Sequence, residues 1–328
     1  MGIIKYRRKL NKTLKHSKNI FLMAHKDLDL DALGSCIGMY MILTKHRKKV
    51  YIIIDDKTHE LGVEKVLIEL EGCITTIKSE DIEKYMNKNS KKNLLIVLDT
   101  NKKELVQSTD VLKKINNKVV IDHHDLGKTS IKDCLMINDT EVSSTCEMIT
   151  ELIEYYDVEI EPYYATVLLS GMVLDTNNFT LKTNPETFYA AYYLTSLGAS
   201  AKKVQYLLKQ DITEYTERQK LMTDIQTING KIALTKATPY SQYRREDLAK
   251  VADTLLFFNN IEASFVIGKV GKDAIGISAR SLGNYDINKI LSKLGGGGGI
   301  YNGAARIENS TISKVEQQLV KVIKEESE

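Results

Sequence analysis

Four short apolar runs recur through the first part of the chain: "NIFLMAH" (19–25), "VYIIID" (50–55), "NLLIVLDT" (93–100) and "KVVIDHH" (118–124). Each is almost continuously aliphatic, where a half-exposed strand would alternate apolar with polar residues. Strands of that kind need cover on both faces, and the segments between them carry helical patterns. The pattern predicts a parallel sheet with helices on both faces. Helices are expected over 31–48, 143–156, 163–174 and 185–197. The last is bounded by Asn184 as a cap, Pro185 at its first position and Gly198 beyond its end.

The texture changes after residue 199. A more polar helical stretch follows, then the β-type runs "GKIALTKA", "ASFVIGKV" and "AIGISAR", a helical "EDLAKVADTLLFF" and a run of five glycines. A chain of 328 residues exceeds what one core usually organises. The expected organisation is therefore α/β throughout: a larger parallel-sheet domain over 1–198, a helical linker over 199–226, and a smaller α/β C-terminal domain over 227–328.

In an open parallel sheet, ligands collect at the carboxyl ends of the strands. His25 ends the first run, Asp99 the third, and Asp122, His123 and His124 the fourth. Asp29 and Asp31 follow His25, where a helix start favours carboxylates. With Asp175 they make a set of six metal-type ligands: His25, Asp29, Asp31, Asp99, His123 and Asp175. Two divalent ions about 3.5 to 4 Å apart need a shared carboxylate and further nitrogen and oxygen donors. Imidazole and carboxylate without thiolate favour manganese, with other first-row divalent ions as alternatives. Ala32 and Gly38 occupy the positions where a calcium-binding EF-hand loop needs glycine and glutamate.

Other classes are excluded or weakened. The net charge of +3 is spread along the sequence, which is not the clustered footprint of a duplex-DNA binder. No apolar run approaches the 18 or so residues of a membrane span, and no signal peptide is visible, so a cytoplasmic protein is expected. The basic opening segment reads as a solvated amphipathic helix. Cys36, Cys73, Cys134 and Cys146 lack metal-knuckle or redox spacing.

Taken in order, "HKDLDLDALGS", "VLDTN", "DHH" and "GMVLDTNNF" resemble the four metal-binding blocks of the DHH phosphoesterases, and "GISARSLG" with "LGGGGG" resembles the signature of their associated C-terminal domain. Within that family, "SSTCEMITEL" and "ISARSLGNYDINKI" are similar to the catalytic region of the GdpP-type cyclic-di-AMP phosphodiesterases. The resemblance implies hydrolysis of cyclic-di-AMP to linear pApA with two Mn2+ ions. It implies His25, Asp29 and Asp99 on one ion, and Asp31, Asp99, His123 and Asp175 on the other. It makes Asp99 the bridge and places His124 against a phosphate oxygen or the ligand shell. A homodimer is expected on the same ground. Members of that branch usually carry membrane helices and regulatory domains ahead of the catalytic region, so this chain reads as a naturally short form or an excised region.

For the substrate, Gly295, Gly296, Gly297 and Gly298 are expected to bring backbone amides close to a phosphate. Arg280, Arg306 and Asn302 are candidate substrate partners, and Tyr301 a candidate stacking ring. The family's glycine block normally closes with histidine, and Gly299 stands there instead. Two other readings follow: an NrnA-like nanoribonuclease or pAp phosphatase acting on short linear nucleotides, and a cyclic-dinucleotide-binding protein with reduced catalysis.

Overall fold

The computed structural model of the chain describes residues 2–55 and 59–327; Met1 of the basic opening segment lies outside them. It divides into two compact units, Met1–Lys209 and Gln210–Glu328.

The first unit runs α1 (Arg7–His16), β1 (Asn19–Met23), α2 (Leu30–Lys45), β2 (Lys49–Ile53), α3 (Leu61–Glu69), β3 (Thr76–Ile77), α4 (Ile82–Tyr85), β4 (Asn93–Leu98), α5 (Thr109–Lys114), β5 (Lys118–Asp122), β6 (Leu135–Asn138), α6 (Thr145–Tyr155), α7 (Pro162–Asp175), α8 (Pro185–Ser196) and α9 (Ala201–Leu207). Its six strands are all parallel, in the order β3-β2-β1-β4-β5-β6. Successive side chains of a strand face opposite sides. Ile20 and Leu22 of β1 accordingly enter one core with α1, α2, α6 and α7, while Phe21 and Met23 enter another with α4 and α5. Both faces are covered, as the continuous apolar runs require. After β3 the chain returns to the far side of β1 to form β4, so the carboxyl ends of β1 and β4 border the crevice where the winding reverses.

Helix α2 stops at Lys45, three residues short of the expected end, because Arg47 turns the backbone through φ +53° into β2. Helices α2, α6 and α7 pack with almost no space between them. A Cβ on Gly171 would lie 2.6 Å from Cys146 Sγ and 2.8 Å from the Asp31 Cα. Glycine there lets the backbone carrying Asp31 press against α7.

The stretch read as a linker is divided: α9 buries Val204 and Leu207 in the first core, and α10 (Ile212–Gln219) belongs to the second unit. There follow β7 (Gln226–Ile228), β8 (Ile232–Lys236), α11 (Arg245–Leu255), β9 (Ala263–Gly271), β10 (Ala274–Ser281), α12 (Ile287–Ser292), β11 (Gly297–Gly298), β12 (Asn302–Glu308) and α13 (Ile312–Ser327). They form a mixed sheet, β11-β12-β10-β9-β8-β7, in which only β8 and β9 pair in parallel. No helix among the described residues is long and apolar enough to cross a membrane.

Candidate metal centre

The six predicted donors come together at the carboxyl ends of β1, β4 and β5. Their ligand atoms fall into overlapping sets, each within 4.8 Å: His25, Asp29 and Asp99; Asp31, His123 and Asp175; and Asp99, His123 and His124. Asp99 follows β4 in a left-handed conformation, φ +60°, which non-glycine residues seldom adopt. Its Oδ2 lies 3.3 Å from His25 Nε2 and its Oδ1 3.5 Å from His123 Nε2. One carboxylate thus faces an imidazole on each side, the geometry a shared ligand needs.

Backbone contacts hold the other donors. His25 Nδ1 lies 2.7 Å from the Lys26 carbonyl, which assigns its proton there and turns Nε2 inward. Asp29 caps α2, accepting from the amides of Asp31 and Ala32 at 3.0 and 2.9 Å. Asp31 is fully buried, and its two oxygens accept from the amides of Thr145 and Cys146, each at 2.8 Å. Those are the first amides of α6, whose positive end favours a carboxylate. Asp175 ends α7, with Oδ2 3.1 Å from His123 Nε2.

Two features show that this pocket suits cations. Both ring nitrogens of His123 are buried without a hydrogen-bond partner: the approach of Asp175 is short but lies off the hydrogen-bonding direction. A buried orphan nitrogen beside carboxylates is what a metal site leaves when only its protein atoms are considered. The charges also conflict. Burial, then the Asp99 and Asp175 charges, push the Asp31 carboxyl well above its ordinary range, and burial raises Asp175 despite the His123 contact. Burial is the largest influence and works against protonation of His25 and His123, but Asp29 and Asp99 together outweigh it at His25, and Asp175, Asp99 and Asp122 together carry His123 to about 9. For Asp99, burial is outweighed by His25, His124 and His123, which hold its carboxyl far below the usual range. A divalent cation would relieve the packed carboxylates and satisfy the ring nitrogens at once. Cys146 does not add a thiolate: burial, then the Asp31 charge, raise it well above its ordinary value, and its Sγ contacts the Asp31 carbonyl. The donor set is therefore nitrogen and oxygen.

His124 differs from its neighbour. The ring nitrogen nearest Asp99, Nδ1 at 3.9 Å, is hydrogen-bonded to Asp122 Oδ1 at 2.8 Å. Asp122 is fully buried and accepts from Asn101 Nδ2 at 2.5 Å, and Asn101 in turn accepts from Ser130 Oγ. This leaves Nε2 on a half-exposed ring that lines a cavity of about 230 Å³ with His25, Asp29, Asp99, Lys102 and Asp175.

These blocks are matched by known proteins. The model described as the DHH family, N-terminal domain, matches residues 19–172, and the DHHA1 domain matches residues 229–327. The chain carries a DHH family N-terminal domain and a DHHA1 domain. It is 36% identical over 318 residues to the cyclic-di-AMP phosphodiesterase PdeA of Listeria monocytogenes, covering 96% of this chain and 48% of the relative. It is also 36% identical over 321 residues to the cyclic-di-AMP phosphodiesterase GdpP of Geobacillus thermodenitrificans, with the same coverage. The chain thus spans about half the length of these curated relatives. The crystal structure of an exopolyphosphatase-related protein from Bacteroides fragilis has the same fold, with a TM-score of 0.78 at 20% identity over 99% of this chain and 98% of that one.

In the DHHA1 unit the expected substrate residues are engaged differently from the sequence reading. The amides of Gly295, Gly296, Gly298 and Gly299 already donate to Ser292 O, Leu291 O, Asn288 Oδ1 and Asn302 O, so they are not free donors for a phosphate. Close packing accounts for glycine at two of these positions. A Cβ on Gly296 would lie 2.5 Å from Ala304 O, and one on Gly298 2.2 Å from Asn302 O. Gly295 has open space around it, and a Cβ on Gly297 would meet only Asn288 Oδ1 at 3.8 Å, so a ligand can still approach the backbone there. Arg280 pairs with Asp253, Nε to Oδ1 at 2.6 Å, and Arg306 with Glu308 at 2.5 Å. Asn302 and Tyr301 are exposed, and the Tyr301 ring lies against Gly283.

Sequence reasoning missed Asn101 and Thr145, and it placed Asp122 at the strand end without giving it a role towards His124. Thr145 Oγ1 donates to Asp99 Oδ1 at 2.8 Å. The pattern from Ser144 to Glu147, Ser-x-x-Glu before an apolar run, could have located the helix start that grips Asp31.

Proposed function

We propose that this chain is a metal-dependent phosphodiesterase that hydrolyses cyclic-di-AMP to linear pApA, with two manganese ions as its metals. The observation that carries the reading is the position of Asp99 between two sets of nitrogen and oxygen donors. The names of the relatives, which match nearly the whole of this chain, supply the substrate. In this reading His25, Asp29 and Asp99 hold one ion, and Asp31, Asp99, His123 and Asp175 the other. Bound there, the ions would lower the pKa of a coordinated water and neutralise charge on the phosphoryl oxygens.

The chain's own residues do the rest. Asp31, fixed by two α6 amides, and His25, fixed through Nδ1, keep the donors in place before metal arrives. Asp122 sets the tautomer of His124, so that Nε2 meets a phosphate oxygen of the substrate. The larger domain carries the chemistry. The smaller one, through Arg280, Asn302 and the backbone at Gly295 and Gly297, holds the nucleotide.

The test is a comparison of cyclic-di-AMP, pApA and pAp as substrates at saturating manganese. Rapid conversion of cyclic-di-AMP to pApA is expected. Cleavage of the linear substrates alone would replace this reading with that of a nanoribonuclease or pAp phosphatase.

A further inference from the structure

The edge of the first sheet opposite the metal centre is lined with lysine. Four neighbouring strands, β2, β1, β4 and β5, begin there, and each is entered through lysine: Lys48 and Lys49, Lys18, Lys91 and Lys92, and Lys118. The backbone ties them into one row. Lys49 N donates to Lys18 O at 3.1 Å, and Lys18 N to Lys92 O at 2.8 Å, while Asn19 is in register with both Lys49 and Asn93, and Lys118 with Leu95. Lys15 at the end of α1 and Arg47 just beyond α2 flank the row.

Helix ends explain only part of this. Basic residues in the last turn of a helix offset its negative end, which accounts for Lys15, Lys45, Lys113 and Lys114. Lys91 and Lys92 end a short 3-10 turn and Lys18 lies two residues beyond α1, but Lys49 and Lys118 stand four residues past the preceding helices, and acids do not neutralise the lysines of the row. Among the described residues, the ion pairs of this region include Lys84 with Asp81, Lys113 with Asp110 and Lys114 with Glu83, and none is formed by Lys18, Lys49, Lys91, Lys92 or Lys118. Burial and the Lys92 charge pull Lys48 below the usual lysine range, a sign of crowded positive charge. Asp133, ahead of β6, closes the row.

We propose that this lysine rim docks the protein on an anionic lipid surface. The side-chain chemistry separates that partner from nucleic acid. Single-stranded nucleic acid is gripped by exposed rings that stack on bases, whereas Tyr51 and Tyr85, beside the rim, are half-buried and packed on one another. Planar guanidinium forks suit bidentate readout of phosphates and bases, whereas among the described residues the row itself is lysine, with Arg47 at its flank. Lysines are mobile point charges suited to a diffuse anionic layer. The rim and the metal centre occupy opposite ends of strands roughly 17 Å long, so a docked protein keeps its cavity open.

Sedimentation of the full chain with vesicles tests this. Binding is expected to phosphatidylcholine vesicles containing phosphatidylglycerol, not to phosphatidylcholine alone, and to fade as salt rises. Each lysine contributes about fivefold, so the Lys18→Gln, Lys49→Gln, Lys92→Gln triple variant should bind about a hundredfold more weakly while unfolding temperature and hydrolysis in solution stay unchanged. The salt series on the unaltered protein needs no variant. Absence of phosphatidylglycerol-dependent binding, or a triple variant that binds as tightly as the parent, would overturn the proposal. So would a single-stranded oligonucleotide that binds through these lysines while vesicles are ignored.

Discussion

His124 and Asp122 form a pair within the centre: Nδ1 of the half-exposed ring bonds to the fully buried carboxylate at 2.8 Å, and the same Asp122 oxygen accepts the His123 amide at 2.9 Å. One carboxylate therefore fixes both the backbone that carries His123 and the tautomer of His124. Asp122→Asn keeps the shape but can present an amide hydrogen to His124 in place of an acceptor. Turnover should fall about 10- to 100-fold, the usual effect of removing such an outer partner. His124→Ala should likewise lower kcat while bound manganese, measured by metal analysis, stays near the parent level. Unchanged kcat in both variants would remove this pair from the mechanism.

Packing around Asp31 leaves no room for a methyl group on α7. The added Cβ of Gly171→Ala would meet Cys146 Sγ at 2.6 Å, the Asp31 Cα at 2.8 Å and Leu30 O at 2.9 Å, and two of these are backbone atoms. Destabilisation of about 1 to 3 kcal/mol is expected from such overpacking. Chemical denaturation with metal bound and removed would show it, together with weaker manganese binding because the Asp31 backbone must shift.

Protons and metal compete for the same atoms. His25 and His123 are held above the ordinary histidine value in the metal-free protein, His123 at about 9. A group raised on folding stabilises the fold fully below its unfolded pKa of about 6.5 and loses that contribution as pH rises through the folded value. The raised carboxyls of Asp31 and Asp175 act in the same direction. Metal-free protein should therefore lose stability between pH 6.5 and about 9, and manganese affinity should rise over that range as bound protons are released. Denaturation curves at the two ends, with calorimetry in buffers of different ionisation enthalpy, measure both effects. A metal-free protein that gains stability with pH would show the signs to be wrong.

The fold was legible where one physical signal acted alone. Doubly covered strands produced continuous apolar runs, and α8 announced itself through Asn184, Pro185 and Gly198, of which Asn184 makes the capping box with Thr187. Strand β12 was missed because Gly303 and Arg306 interrupt any apolar alternation and most of its residues are exposed. The donors were legible because histidine and aspartate at strand ends are chemically conspicuous. Asn101, Thr145 and the left-handed turn at Asp99 were not, since nothing in a lone threonine or asparagine states which carboxylate it will reach. The glycine run misled for a similar reason. It promised free amides, while four of them are spent on internal acceptors.

The most direct measurement is stepwise addition of manganese to metal-free protein while cyclic-di-AMP cleavage is followed. The expected result is no cleavage without metal, a rate that rises until two equivalents are bound, and loss of both sites' function in Asp99→Asn. Full activity without metal, or a plateau at one equivalent with Asp99→Asn still active, would contradict a shared two-metal centre.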